Sequence, residues 1–219
     1  MAQIVGIIQV KGGVGRSTIA TNLAAVFSIN QPTALIDCDL PQGTSASWYA
    51  LRQAEVPSAN LTLATAGDYR ELVGLAEELS REHRYLIIDA PPRIAEMTRA
   101  IIAMSTLSLV PLGASAAEIW STSDLLLTIN EARNYRADID ARIVWNRYRG
   151  NTREALEVSE AASKELGLKE LSARLGYRVA YSEALARGLS VDEWLDRSAH
   201  AEILALAAEV SSILKEKQK

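Results

Sequence analysis

Val10-Lys11-Gly12-Gly13-Val14-Gly15-Arg16-Ser17-Thr18 is the stretch on which the fold turns. The largely apolar run before it, Ile4 to Val10, reads as a buried strand, and Thr18 to Phe27 after it has the spacing of a helix. A glycine-rich turn between a strand and a helix is the setting in which a chain binds phosphate. The glycines let the backbone turn tightly and aim successive N–H groups at phosphate oxygens. The helix N-terminus adds free donors and positive potential. Ser17 occupies the place from which a loop hydroxyl ligates Mg²⁺. Three glycines in four residues, a flanking lysine and a following Ser-Thr pair argue against a turn without a ligand.

Outward from this loop, short apolar runs alternate with longer helical patterns. Strands are expected at Ala34 to Asp37, Leu61 to Ala64, Leu86 to Asp89, Leu107 to Val110 and Ile139 to Trp145. Helices are expected at Tyr69 to Glu82 and Glu118 to Asn134. Strands that are apolar on both faces and separated by helices imply an α/β fold, a mostly parallel sheet with helices on both sides. No repeat, low-complexity run or linker interrupts the pattern, so residues 1–219 read as one domain, and the length suits a single full core.

Composition narrows the function classes. Hydrophobic residues make up 48% and charged residues 23%, an ordinary globular composition that argues against disorder. A net charge of −4 provides no global attraction to nucleic acid, so any such contact needs a local patch. The single cysteine, Cys38, excludes an internal disulfide and a cysteine-based metal or iron–sulfur site, and it points to a reducing, cytoplasmic compartment. Met1-Ala2-Gln3 leads straight into the first strand, so neither a secretory leader nor a preceding helix-turn-helix domain is expected. No stretch reaches the roughly 18 apolar residues of a membrane span. A final helix places Ile203, Leu204, Leu206, Ala207, Val210, Ile213 and Leu214 on one stripe, followed by Lys215, Lys217 and Lys219. Such a stripe suits a membrane surface or a core. It has no aromatic anchor, and the core is the expectation.

Acidic residues close two of the strands. Asp37 and Asp39 end the second, and Asp89 ends the fourth, before Pro91-Pro92. In open parallel sheets ligands bind beyond the carboxyl ends of strands, so all three carboxylates lie in range of the loop. Two readings stand for each: a phosphate-site or Mg²⁺ carboxylate, or a helix cap. Asn146 ends a later strand, either as a base-reading amide or as a loop cap.

The loop resembles the deviant Walker A box of the ParA/MinD family, Lys-Gly-Gly-Val-Gly-Lys-Ser/Thr, with arginine at the final basic position. The segment Asp37-Cys38-Asp39-Leu40-Pro41-Gln42-Gly43 resembles the family's Asp-x-Asp-Pro-Gln-Gly motif with Leu40 as an extra residue, and Asp89-Ala90-Pro91-Pro92 resembles its Asp-x-Pro-Pro switch. Residues 178–191, with Arg178-Val179-Ala180-Tyr181-Ser182-Glu183-Ala184, resemble a closing motif that favours ParA over MinD. The resemblance implies an ATPase that uses ATP, ADP and Mg²⁺. Lys11 would reach the partner's phosphates in a nucleotide-sandwich homodimer. Gly12, Gly13, Val14, Gly15, Arg16, Ser17 and Thr18 would cradle phosphates, and Asn146 would contact adenine. Asp39 would orient the attacking water, while Ser17, Asp37 and Asp89 would serve the metal.

The family further implies nonspecific DNA binding by the ATP dimer, a ParB-like adaptor that stimulates hydrolysis, and a nucleoid-associated location. Candidate DNA contacts are Arg147, Arg149, Arg153, Lys164, Lys169, Arg174, Arg178 and Arg187. Arg16 keeps the charge of the family's lysine but not its shape, so slow or impaired turnover is expected. A MinD-like membrane ATPase and a non-hydrolysing scaffold are the alternatives.

Overall fold

A computed structural model describes residues 2–40, 42–93, 95–150, 157, 158, 162 and 164–218. Among the described residues, seven strands form one sheet: β1 (Gln3–Ile7), β2 (Thr33–Asp37), β3 (Leu61–Thr65), β4 (Tyr85–Asp89), β5 (Leu107–Leu112), β6 (Ala141–Tyr148) and β7 (Lys169–Gly176). Their spatial order is β3-β2-β4-β1-β5-β6-β7, and every pairing is parallel. The described helices are α1 (Arg16–Ser28), α2 (Thr44–Glu55), α3 (Tyr69–Leu79), α4 (Glu96–Met104), α5 (Ala116–Trp120), α6 (Ser123–Tyr135), α7 (Val179–Leu185) and α8 (Arg197–Glu216). A 3₁₀ turn covers Val191–Glu193.

Side-chain alternation along the strands divides the core in two. Val5, Ile7, Tyr85 and Ile87 face α1, α2, α7 and α8, where Ile19, Leu23, Trp48, Tyr181 and Ile203 pack. Ile8, Leu86 and Ile88 face α3, α4 and α6, against Leu72, Ile101 and Leu125. With both faces covered, the strands inside the sheet read as apolar runs, which is why they were legible.

Register sets the site. Asp89 pairs with Ile7 and with Asp37, so the ends of β1, β2 and β4 lie at one level. The chain order reverses across β1, which sits between β4 and β5, and such a switch point opens a crevice at the carboxyl ends of the strands.

Several boundaries depart from the sequence reading. The first strand ends at Ile7, because the chain then turns into the loop, and α1 begins at Arg16. The helix expected from Glu118 to Asn134 is two helices. Ser121 and Thr122 hydroxyls donate to the Glu118 carbonyl at 2.8 Å each, competing with the backbone ladder at the break. The helices α2, α4 and α7 and the edge strand β7 were not anticipated. On α8, Ile203, Leu206, Ala207, Val210, Ile213 and Leu214 are buried in the core, while Leu204 faces outward. Just beyond α8, Lys217 Nζ donates to the Thr106 carbonyl at 2.9 Å and pairs with Asp140 at 3.2 Å. The apolar stripe is therefore spent inside the fold. Among the described residues, no helix is long and apolar enough to cross a membrane.

Candidate nucleotide site

The loop between β1 and α1 is shaped by Gly13 (φ 74°) and Gly15 (φ 94°), both in the left-handed region that glycine adopts without steric penalty. Gly15 is the N-cap of α1, and no side chain caps that helix. The helix therefore starts with backbone N–H groups available to an anion. A Cβ at Gly15 would lie 2.1 Å from Asn146 Nδ2, so the loop and the end of β6 approach closely at this point.

Asn146 holds that approach together. Its Nδ2 donates to the Val14 carbonyl at 2.7 Å, and its Oδ1 accepts from the Arg147 N–H at 3.0 Å. The amide is buried and spans the loop and β6. It also lines a cleft of about 450 Å³ with Gly15, Thr18, Tyr177 and Tyr181.

The two loop cations are placed very differently. Lys11 is 38% exposed, and its ammonium lies 3.7 Å from Glu118, whose other carboxylate oxygen accepts the Gly113 N–H. Arg16 is only 7% exposed. Its Nε donates to the Ala90 carbonyl at 2.9 Å, and its Nη1 donates to the carbonyls of Gln9 at 2.8 Å and Lys11 at 2.7 Å. Its nearest carboxylate, Asp39, stands 3.9 Å from Nη2. Burial lowers the Arg16 pKa against the opposing pull of Asp89 and Asp39. The guanidinium thus ties the end of β1, the loop and the chain after β4 together, while still bordering the phosphate cleft.

Three aspartates gather at the strand ends, and each does something different. Asp89 is almost wholly buried. Its Oδ2 accepts from Ser45 Oγ at 2.7 Å, while its Oδ1 is buried without a hydrogen-bond partner among the described residues. Burial pushes its pKa up to about 6 against the hydroxyls of Ser17 and Ser45, which draw it down. Asp37 spends both oxygens on backbone, accepting from the N–H of Asp39 and of Ala46 at 2.9 Å each, and so fixes the turn that enters α2. Asp39 borders the phosphate cleft, and its pKa is raised by burial more than Arg16 lowers it. Leu40 is absorbed in a turn in which the Gln42 and Gly43 N–H groups both donate to the Asp39 carbonyl, at 3.0 and 2.7 Å.

The phosphate cleft, about 400 Å³, is lined by Gly12, Gly13, Gly15, Arg16, Ser17 and Thr18 together with Asp39, Gln42, Thr44, Pro92 and Arg147. Sequence reasoning missed Ser45 and Thr44. The available signal was a Thr-Ser pair opening a helix just after the Asp-x-Asp segment. Of the residues read as DNA contacts, Arg178 is held by Glu202 at 2.8 Å, and Arg174 and Arg149 stack over Tyr148 and Tyr177 at 4.6 and 4.7 Å. Arg153 lies outside the described residues.

A parallel sheet with a glycine-rich loop at its switch point, bare helix N–H groups and a buried carboxylate beside two hydroxyls defines a phosphate-loop nucleotide-binding protein. The chain belongs to the CobQ/CobB/MinD/ParA nucleotide binding domain family, whose model matches residues 5–191. It is 25% identical to "Maintenance of carboxysome distribution protein A" of Halothiobacillus neapolitanus over 212 residues, covering 96% of this chain and 94% of that one. It is 29% identical to "Chromosome-partitioning ATPase Soj" of Thermus thermophilus over 240 residues, covering 94% of each. Among solved structures, a McdA–ATP complex from Cyanothece superposes with a TM-score of 0.80 at 18% identity, covering 96% of both chains.

Proposed function

We propose that residues 1–219 act as one ParA-like ATPase domain that positions a cargo inside the cell. ATP would join two copies, with Lys11 of each serving the other's phosphates, and the dimer would bind DNA nonspecifically. A ParB-like or other adaptor would stimulate hydrolysis, and the dimer would work on the nucleoid in the cytoplasm. The cargo would be a plasmid, a chromosome region or a protein body; the relatives named above act in chromosome partitioning and carboxysome distribution.

The observation that carries this reading is the pairing of an uncapped loop helix with Asp89, Ser17 and Ser45 at the end of β4. A buried carboxylate oxygen without a partner, beside two hydroxyls, suits Mg²⁺ held through water. Bound Mg²⁺ would neutralise phosphate charge. Backbone N–H groups from Gly12 to Thr18 would hold the phosphates of ATP or ADP, Ser17 and Asp89 would serve the metal, and Asp37 would support that shell through the turn it fixes. Asp39, at the cleft, would orient water. Asn146 would face the base while bracing the loop.

ATP-dependent retention on DNA, measured for this chain and for Lys11→Ala, tests the reading. Retention only with ATP, lost in the variant, supports it; no ATP dependence in the parent chain refutes it. The commitment of Arg16 to three carbonyls favours slow turnover, with a non-hydrolysing scaffold as its limiting case. Phosphate release faster in Arg16→Lys than in the parent chain supports slow turnover, and equal rates argue against any role for the arginine.

A further inference from the structure

Arg147 is the described residue other than glycine whose backbone is left-handed, with φ 53°. For an L-residue that conformation costs roughly 1–2 kcal/mol. It falls in an irregular stretch of β6, where the register with β7 shifts between Trp145 and Tyr148. Bulges of this kind re-aim a side chain and recur beside functional sites. Asn146 holds the strained residue, accepting its N–H while donating to the Val14 carbonyl of the phosphate loop. One amide thus fixes the loop and the position of Arg147 together.

The exposed side chain borders both clefts: the phosphate cleft with Gly12, Gly13 and Ser17, and the neighbouring one with Asn146 and Tyr177. Gly15 and Thr18 are the other residues common to the two. Among the described residues the Arg147 guanidinium has no hydrogen-bond or ion-pair partner. The contrast with Arg16 is direct, because that cation is buried and spends three of its five N–H groups on Ala90, Gln9 and Lys11 carbonyls, its Nη2 standing 3.9 Å from Asp39. A polyphosphate in the loop would meet only the Nη2 edge of Arg16, which already faces Asp39.

We propose that Arg147 is the cis cation of the nucleotide site, its guanidinium ligating the polyphosphate of a bound nucleoside di- or triphosphate in place of the pinned Arg16. The inference rests on the nucleotide-binding reading above and adds to it a ligand residue from β6. A guanidinium fork suits phosphate oxygens bidentately, and an exposed position leaves it free to close over the ligand. Residues shared by the two clefts place the contact between loop and base, on phosphates that ADP and ATP have in common.

The test is calorimetric titration of Mg-ADP and Mg-ATP into the full chain and into Arg147→Gly and Arg147→Lys. Glycine keeps the left-handed backbone without strain, so the thermal midpoint of Arg147→Gly should be unchanged or higher. The expected result is a Kd raised about tenfold to a hundredfold for both nucleotides in Arg147→Gly, the range of a lost charge-assisted hydrogen bond, with Arg147→Lys between. Unchanged nucleotide affinity in Arg147→Gly overturns the proposal, and does so equally if DNA retention falls while nucleotide affinity holds. If the parent chain binds neither nucleotide, this inference and the function it rests on fall together. Binding by the parent with no change in the variant removes this inference alone.

Discussion

Among the described residues two arginines are buried, and their surroundings are opposite. Arg52, on α2, is 4% exposed and meets Glu193 in a two-pronged ion pair at 2.7 and 2.9 Å, with the Gly188 carbonyl at 3.2 Å. Glu193 in turn closes a capping box with Ser190. Arg16 is buried nearly as deeply, but its carboxylate stands 3.9 Å from Nη2, and its Nε and Nη1 groups donate to neutral carbonyls. The first arrangement neutralises a charge in order to bolt α2 to the segment before α8. The second leaves net charge desolvated at the mouth of a cleft that is suited to an anion. Away from the site, buried charge is matched; at the site it is held in tension with burial, the pattern expected where binding sets the requirement.

Removing Arg52 is the most damaging way to probe that contrast. Arg52→Ala leaves Glu193 without its partner, and chemical denaturation should show a loss of about 3 kcal/mol. A loss under about 1 kcal/mol would mean that the bolt is decorative. The ligand-free protein should respond in the opposite sense at Asp89. Its folded pKa, raised to about 6, lies above the ordinary carboxylate value. Stability from this group is therefore full below about pH 4 and lost as pH rises through 6. Asp89→Asn should thus stabilise the nucleotide-free chain by about 2 kcal/mol at pH 7.5, with the advantage vanishing near pH 4. A pH-independent difference in thermal midpoint would sink this. Magnesium-dependent nucleotide affinity should be lost in the same variant.

Arg16→Lys should cost about 1 kcal/mol in urea unfolding, since one ammonium cannot reproduce the three-carbonyl fork. At the same time it should tighten ATP binding, and a variant both less stable and weaker in binding would contradict the contrast drawn here. Glu118→Gln should be the mildest, within about 0.5 kcal/mol, because Lys11 and Glu118 form a loose, partly exposed pair. A larger shift in the unfolding midpoint would show that the pair fastens the loop.

The strands at β1, β2 and β4 were legible because each is apolar on both faces and ends in a loop or an aspartate. Helix α2 was not, because in Thr44–Glu55 the fully buried apolar side chain is Trp48 alone, with Ser45 and Arg52 buried beside it as polar residues. Edge strand β7 was missed because its alternating Lys169-Glu170-Leu171-Ser172 carries half the apolar signal of a central strand. Of the site, the loop and its three aspartates were visible. Their division of labour was not: Asp37 fastens backbone, Asp89 sits with Ser45, and Asp39 borders the cleft.

Sequence alone determined the phosphate loop, because glycines, a strand end and a helix start constrain only neighbouring backbone. Tertiary structure alone decided where Arg16, Asn146 and Arg147 point. Arg16 bonds to Ala90, 74 positions away, and Asn146 to Val14, 132 positions away. Partners that distant are set by sheet order and register, not by any local propensity of the residues themselves.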